Sequence, residues 1–203
     1  MSSRAMRLVA AAVLGLATPA VAQRIGAVDV SVFGRYTDFD NSLALDNTFG
    51  FGGRAAAYIQ PGLSVELDVS RTSADPIAAG AGSVKHTPIH FRVVGALPAG
   101  GRLDALLGGG YVHNSYGGSR DLSDGGLSLF LGLRHHTSSR VWVRLGLDLD
   151  VMFHTASTSP FDFYTGTWGL QLGVGTLLNG GGVRDGIQHE RCQQSRSKQF
   201  SGH

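Results

Sequence analysis

The chain has 203 residues, which is enough for one domain with a substantial interior. Its 17 basic and 15 acidic residues nearly balance and form no basic stripe, which argues against nucleic acid as a partner. The single cysteine, Cys192, excludes an internal disulfide, and no Cys/His cluster has the spacing of a zinc site, so we expect no metal and no cofactor.

The N-terminal segment has the features of a secretory signal peptide. Two arginines precede an apolar stretch at 8–16, and Ala20-Val21-Ala22 has the small-x-small pattern of a cleavage site. We therefore predict a signal peptide over 1–22 and a mature chain that begins near Gln23; the alternative is a buried N-terminal helix. Beyond this segment no apolar run approaches the roughly 20 residues that a transmembrane helix needs.

From Val28 onward, apolar and polar residues alternate with period two in segments separated by turn residues. The eight segments are 28–37, 49–59, 63–70, 89–97, 103–112, 127–134, 141–153 and 164–175. About ten residues is the length at which a tilted strand crosses a bilayer. The sequence therefore predicts an all-β fold, an eight-stranded antiparallel up-and-down transmembrane β-barrel over 23–180, followed by a polar, disordered tail over 181–203.

The connections between these segments alternate in length. Short turns are predicted at 60–62, 98–101 and 137–139, and longer polar loops at 38–47, 72–85, 115–124 and 155–162. In outer-membrane barrels the short turns are periplasmic and the long loops are extracellular. Consecutive strands joined in this way form a meander, and closing it leaves no unpaired sheet edge in the bilayer.

Alternation alone does not decide which face points outward, because a soluble lipocalin-like barrel alternates as well. The polar face here carries no lysine, and the two lysines of the chain, Lys85 and Lys198, lie outside the strand pattern. A soluble exterior would mix lysine with glutamate. We therefore expect the polar face, with Trp142 on it, to line the lumen, where each charge needs a partner. The predicted lumen ion-pair network is Arg35, Arg54, Glu66, Asp68, Arg92, Asp104, Arg134, Arg144, Asp148 and Asp150.

The apolar face carries aromatic residues toward the long-loop end of the predicted strands. They are Tyr36, Phe49, Tyr111, Phe153, Tyr164 and Trp168. Aromatic girdles of this kind lie at the membrane interfaces of transmembrane barrels. Together with the predicted signal peptide, they favour an outer-membrane barrel over a secreted soluble one.

Several stretches resemble the OmpA-like eight-stranded outer-membrane barrel family over residues 26–179. They are Phe51-Gly52-Gly53-Arg54, Pro61-Gly62-Leu63-Ser64-Val65-Glu66-Leu67, Leu107-Gly108-Gly109-Gly110-Tyr111 and Leu131-Gly132-Leu133-Arg134. The last strand is similar to the assembly signal of that family at Thr167, Gly169, Leu172 and Val174. The resemblance implies export to the bacterial outer membrane, assembly by the barrel-assembly machinery, and contact with outer-membrane lipid and lipopolysaccharide. The tail after residue 180 departs from the peptidoglycan-binding domain of many relatives, so that role is not carried over.

Three groups of residues raise the question of catalysis. His136 and Ser138 resemble the His-x-Ser pair of lipid A deacylase barrels, but they lie at a short turn, where Ser and Thr are ordinary. Glu66, Asp68, Asp148 and Asp150 form a carboxylate group that neighbouring arginines favour as salt bridges. His90 and His154 lack ligand spacing. We therefore predict that the protein is not an enzyme.

The predicted function is that of an outer-membrane structural or surface-interaction barrel. Eight strands enclose only enough space for side chains to fill, so a charged interior predicts a plugged lumen. Binding residues would then lie on the extracellular loops, whose sequences do not identify a ligand. The alternatives are a narrow channel for small solutes or ions, and a barrel enzyme that modifies lipid A.

Overall fold

The computed structural model of the protein describes residues 25–40, 43–77, 82–118, 121–153 and 167–179. Each strand pairs antiparallel with the next, and β8 pairs with β1 to close the barrel. The strands are β1 Val28–Asp38, β2 Thr48–Gln60, β3 Leu63–Ala74, β4 Val84–Gly100, β5 Leu103–Gly118, β6 Leu122–His136, β7 Val141–Met152 and β8 Trp168–Asn179. The predicted eight-stranded antiparallel up-and-down barrel is confirmed.

The two ends of the barrel differ in the length of their connections. At the short-turn end, residues 61–62, 101–102 and 137–140 join the strands. Gly62 and Gly101 have positive φ angles of 76° and 58° there, a conformation that glycine adopts without strain. At the long-loop end the connections are 39–47, 75–83, 119–121 and 153–167.

The strands on one side of the barrel extend further than the sequence predicted. Residues 72–74, 84–85, 115–118 and 122–124 were predicted in loops but belong to β3, β4, β5 and β6. In these extensions the polarity of the two faces is reversed although backbone pairing continues: Ala74, Val84 and Tyr116 are buried on the inside, whereas Ser73, Lys85 and Ser115 are exposed on the outside. Lys85 consequently lies within β4, which corrects its expected position outside the strands.

The outer face of the barrel is built of exposed apolar side chains. Val32, Phe51, Leu129 and Leu172 are each more than half exposed, whereas their neighbours along the strands are mostly buried. Such a continuous apolar surface is costly in water and is solvated by hydrocarbon. Within the described segments, no helix has the length and hydropathy for a membrane span.

Three of the aromatic residues predicted at the long-loop end form a cluster on the outer face. The ring of Tyr36 lies 4.9 Å from that of Phe49 and 5.8 Å from that of Trp168, centroid to centroid. These residues come from β1, β2 and β8, which are neighbours in the closed barrel. Tyr164 lies outside the described residues.

An apolar cluster covers the interior at the long-loop end. This mouth cluster consists of Phe39, Leu45, Ala74, Val84 and Tyr116, all buried. Part of it comes from the 39–47 connection, which pairs with the next long connection through a bridge between Leu45 and Pro76. The bridge consists of two backbone hydrogen bonds, from Asp46 N to Asp75 O at 2.9 Å and from Ile77 N to Ala44 O at 3.0 Å. The mouth cluster therefore depends on two loops that hold each other in place.

Candidate functional site in the barrel interior

All ten residues of the predicted lumen network point inward. They alternate along β1 to β7 with outward-facing residues, and each is buried. The parity of the strands also brings Trp142 inside, as predicted, where its ring fills the space beside Gly175. Burial of this many charges requires that they satisfy one another.

Asp68 is the centre of the network. Its Oδ2 accepts hydrogen bonds from Arg54 Nη2 at 2.8 Å and from Arg92 Nη2 at 2.5 Å. Gln171 Nε2 also donates to it, at 3.4 Å, and Gln171 in turn accepts a hydrogen bond from Arg54. Side chains from β2, β4 and β8 thus meet at the Asp68 carboxylate, which belongs to β3.

Two ion pairs cross the lumen. Glu66 on β3 accepts two hydrogen bonds from Arg144 on β7, of 2.8 and 2.9 Å, in a bidentate arrangement. In a ring of eight strands β3 and β7 stand opposite each other, so this pair spans the interior. Arg92 on β4 pairs with Asp148 on β7, so this second pair also crosses the interior to β7. These bonds connect the two walls of the barrel.

Asp150 joins the network from the long-loop side. Arg35 lies between two carboxylates, with Nη2 3.4 Å from Asp150 and Nη1 3.5 Å from Asp148. His90 Nε2 lies 3.1 Å from Asp150 Oδ2. His90 therefore contacts the same carboxylate as Arg35, and Arg35 is shared by Asp148 and Asp150.

Phe130 lies among the arginines of the network. The guanidinium carbons of Arg144, Arg92 and Arg54 lie 4.2, 4.9 and 5.9 Å from the centre of its ring. A ring face attracts cations, so Phe130 supports three arginines that would otherwise repel one another. A Cβ at Gly146 would lie 2.5 Å from this ring, so the glycine provides the necessary space.

A second charged group closes the short-turn end. Arg134 Nη2 donates to Asp104 at 2.8 Å, and Arg134 Nη1 donates to the Tyr58 hydroxyl at 2.6 Å. The Tyr58 hydroxyl donates to Asp29 at 2.8 Å. His136 Nε2 also lies 2.8 Å from Asp104. Since β2 and β6 are opposite each other, the Tyr58–Arg134 bond is a further connection across the lumen.

His136 and Ser138, which were considered for catalysis, do not contact each other through the hydrogen bonds that the structure shows for them. Ser138 Oγ accepts hydrogen bonds from the backbone amides of Arg140 and Val141, at 3.3 and 3.0 Å, and so stabilises the turn. His136 points to Asp104 instead. His154 lies outside the described residues. Within the described part of the chain, no group of three or more His, Cys, Asp or Glu side chains is placed to hold a metal ion.

Sequence reasoning omitted several members of the network. Gln171, Tyr58 and Phe130 occupy inward positions of strands whose period was recognised, so parity alone would have included them. They were omitted because they carry no charge. Amide, hydroxyl and aromatic groups also bind buried ions, so charge alone does not identify all members of the network.

Comparison with known proteins shows which family has this architecture. Residues 8–176 match the model of a family described as the outer membrane protein β-barrel domain. No curated protein sequence matches the chain at a significant level.

Solved structures share the fold. Neisserial surface protein A is 18% identical with a TM-score of 0.58 and covers 75% of this chain and 99% of its own. OprG of Pseudomonas aeruginosa is 12% identical, with a TM-score of 0.57, over 79% of this chain and 99% of its own. The N-terminal barrel domain of OprF from the same organism is 14% identical, with a TM-score of 0.52, over 77% and 100%.

The family model spans most of the sequence, and the closed antiparallel barrel with an apolar exterior is the form that such a domain takes in lipid. The resemblance found in the sequence is thereby confirmed. The chain belongs to the outer membrane protein β-barrel domain family, an OmpA-like group of bacterial outer-membrane barrels.

Proposed function

We propose that the protein is a structural or surface-interaction barrel whose lumen is plugged by its own side chains. The observation that carries this proposal is the bidentate Glu66–Arg144 pair, which joins opposite walls of the barrel at 2.8 and 2.9 Å. The neighbouring pairs of Asp68 and Asp148 with arginines lie in the same layer. A solute that crossed the barrel would have to separate these charges.

The energetics of buried ion pairs support a closed lumen. Removing one partner of a buried pair costs about 3–5 kcal/mol, because the remaining charge is left uncompensated. Spontaneous separation of several pairs is correspondingly rare. The mouth cluster adds an apolar layer on the long-loop side, which hydrated ions would also have to pass.

The surface role rests on the long-loop end. Binding residues usually lie on loops that a rigid scaffold positions, and here the barrel is such a scaffold. β4, β5 and β6 have 17, 16 and 15 residues, against 11 to 13 in the other strands, and they form one wall that includes residues 84–85, 115–118 and 122–124 at the long-loop end. We propose that this wall and the adjoining loops contact extracellular partners.

Conductance in planar phospholipid bilayers tests the plug. We expect no stable open state from the parent, and increased single-channel conductance from Glu66→Gln and Arg144→Gln. Arg102→Gln, at the exposed short-turn end, is the control that removes a charge outside the lumen. Gel mobility before and after boiling establishes that each variant is folded.

A large, stable pore in the parent protein would overturn the plug, and the narrow-channel function would replace it. Lipid A modification is the other alternative. The Ser138 hydroxyl binds turn amides, which supports a structural rather than a nucleophilic role for that residue. A deacylation assay on the parent, with His136→Ala and Ser138→Ala beside it, should give the same background for all three proteins. Activity that is lost in the variants would establish an enzyme.

Export depends, in this proposal, on residues 1–22. The positive N-terminal flank, short apolar core and Ala20-Val21-Ala22 are the parts that the secretion machinery requires. N-terminal sequencing of protein extracted from outer membranes should begin at or near Gln23. A membrane-extracted chain that begins at Met1 would refute processing at this site.

A further inference from the structure

A histidine is buried in the apolar surroundings of the mouth cluster. His86 lies in the extension of β4, next to Lys85, and its side chain is 1% exposed. Its ring stacks on that of Tyr116, with centroids 4.9 Å apart, and lies 5.1 Å from that of Phe39 in a T-shaped arrangement. Both of these partners belong to the mouth cluster. A group that ordinarily titrates near neutral pH is thus enclosed by aromatic rings.

The hydrogen bonds of His86 fit the neutral imidazole. Its Nε2 lies 3.0 Å from Asn114 Oδ1, and Asn114 Nδ2 in turn donates to Met152 Sδ at 3.4 Å. An amide oxygen only accepts, so Nε2 carries the single proton of the neutral ring. His86 Nδ1 is buried and has no hydrogen-bond partner among the described residues. A second proton would therefore create a buried N–H and a positive charge without an acceptor in that part of the chain.

Charged and titratable groups face His86 from several strands. Those that the described structure places around it are Arg35 of β1, His90 of the same strand, Tyr116 of β5 and Asp150 of β7. From β3 the uncharged Thr72 is its cross-strand neighbour, and Phe39 contacts it from the connection after β1.

These groups do not compensate for a positive charge on His86. Arg35 repels such a charge. The carboxylate of Asp150 is already paired with Arg35 at 3.4 Å and with His90 at 3.1 Å. Stacking on the Tyr116 ring attracts a cation but supplies no hydrogen-bond acceptor for Nδ1. The closed long-loop end therefore holds the neutral form of the ring and excludes the protonated form.

The aromatic contact with His86 depends on segments 43–47 and 75–77. The amide of Phe39 donates to Asn47 Oδ1 at 3.2 Å, so this ring is held to the first segment. The two segments are joined by the backbone hydrogen bonds of the Asp46 and Ile77 amides, at 2.9 and 3.0 Å. Separation of the segments would withdraw Phe39 and let water reach His86 Nδ1.

We propose that segments 43–47 and 75–77 close over His86 while it is neutral and separate when it is protonated. The closed form excludes the second proton and the open form accepts it. Closure is therefore favoured above the pKa of a solvated histidine, about 6.5, and is lost as the pH falls below that value. This inference goes beyond the plugged lumen and does not depend on it, because it concerns the loops above the ion pairs.

Amide hydrogen exchange of Asp46 and Ile77 tests the inference, measured by NMR on the protein in phospholipid nanodiscs. Protection factors are corrected for the pH dependence of intrinsic exchange. Between pH 8 and pH 5 the protection of both amides should fall about 30-fold, because a solvated histidine takes up a proton over this range. The amide of Leu129, in the middle of β6, should keep its protection, which shows that the barrel itself stays folded.

Three variants identify the titrating group. His86→Gln keeps a donor for Asn114 but does not titrate, so the protection of the two amides should become independent of pH. The matched control is His113→Gln, because His113 faces outward on β5, and this variant should respond to acid as the parent does. Asn114→Asp gives a protonated His86 a carboxylate partner, so this variant should stay closed in acid.

The inference is overturned if the parent keeps its protection in acid, or if His86→Gln loses protection as the parent does. If His86→Gln is open at every pH, Asn114→Asp decides: a variant that opens in acid like the parent refutes the role of His86. Because conductance does not enter these measurements, a failure here and a failure of the plug are distinguishable.

Discussion

Replacement of Leu129 by arginine tests which environment the outer face meets. Leu129 lies near the middle of the apolar segment of β6, with its side chain 56% exposed and with Gly109 and Leu149 as its cross-strand neighbours. Hydrocarbon cannot solvate a guanidinium, so Leu129→Arg should lower the free energy of unfolding by about 2–4 kcal/mol. Denaturant titrations of the protein folded in phospholipid vesicles measure this loss.

His135 provides the matched control, because it faces outward on the same strand near the short-turn end. Six residues at about 3.3 Å each separate the two positions by about 20 Å along the strand. A strand tilt of about 40° reduces this to about 15 Å along the membrane normal, which exceeds half of an apolar band about 25 Å tall. His135→Arg should therefore cost only about 0–1 kcal/mol. Equal losses in the two variants would refute a lipid-facing exterior.

Two further predictions concern the packing and hydrogen bonding of the interior. Gly110→Ala should lower the free energy of unfolding by about 1–3 kcal/mol, because its Cβ would lie 2.0 Å from a carbonyl oxygen of the neighbouring strand. Gly109→Ala, on the outer face, should change stability by less than about 0.5 kcal/mol; a similar loss in both would contradict this packing. Tyr58→Phe should cost about 1–3 kcal/mol by leaving buried charges with fewer hydrogen bonds. The same change at the exposed Tyr111 should be neutral, and a neutral Tyr58→Phe in vesicle unfolding titrations would contradict the bonds described.

The period of two accounts for most of what the sequence predicted correctly. A strand sends alternate side chains to opposite faces, so one recognised register assigns every residue of that strand to the inside or the outside. This assignment placed Trp142 inside the barrel, where the structure also has it, although tryptophan is a residue type that favours the lipid interface. The limits of strands were predicted less well, because Lys85 and its neighbours continue the backbone pairing beyond the apolar belt.

The choice of ion-pair partners could not be predicted in the same way. Arg134 and Arg144 are direct cross-strand neighbours, yet one binds Asp104 on the adjacent strand and the other binds Glu66 on the opposite wall. Which carboxylate each arginine reaches depends on strand tilt and on the stagger with which the barrel closes. Those quantities follow from the whole sheet and have no local signal in the sequence.

The Glu66–Arg144 pair also has a consequence for how the sequence can change over time. The two residues are 78 positions apart; loss of Glu66 would remove the carboxylate that pairs with Arg144, and loss of Arg144 would leave Glu66 with Arg54, 3.5 Å away, as its remaining ion-pair partner. An ancestral loss at one position would therefore select for a change at the other. Among related barrels, acidic and basic residues at these two sites should be gained, lost or exchanged together, whereas the outward-facing residues beside them should vary independently.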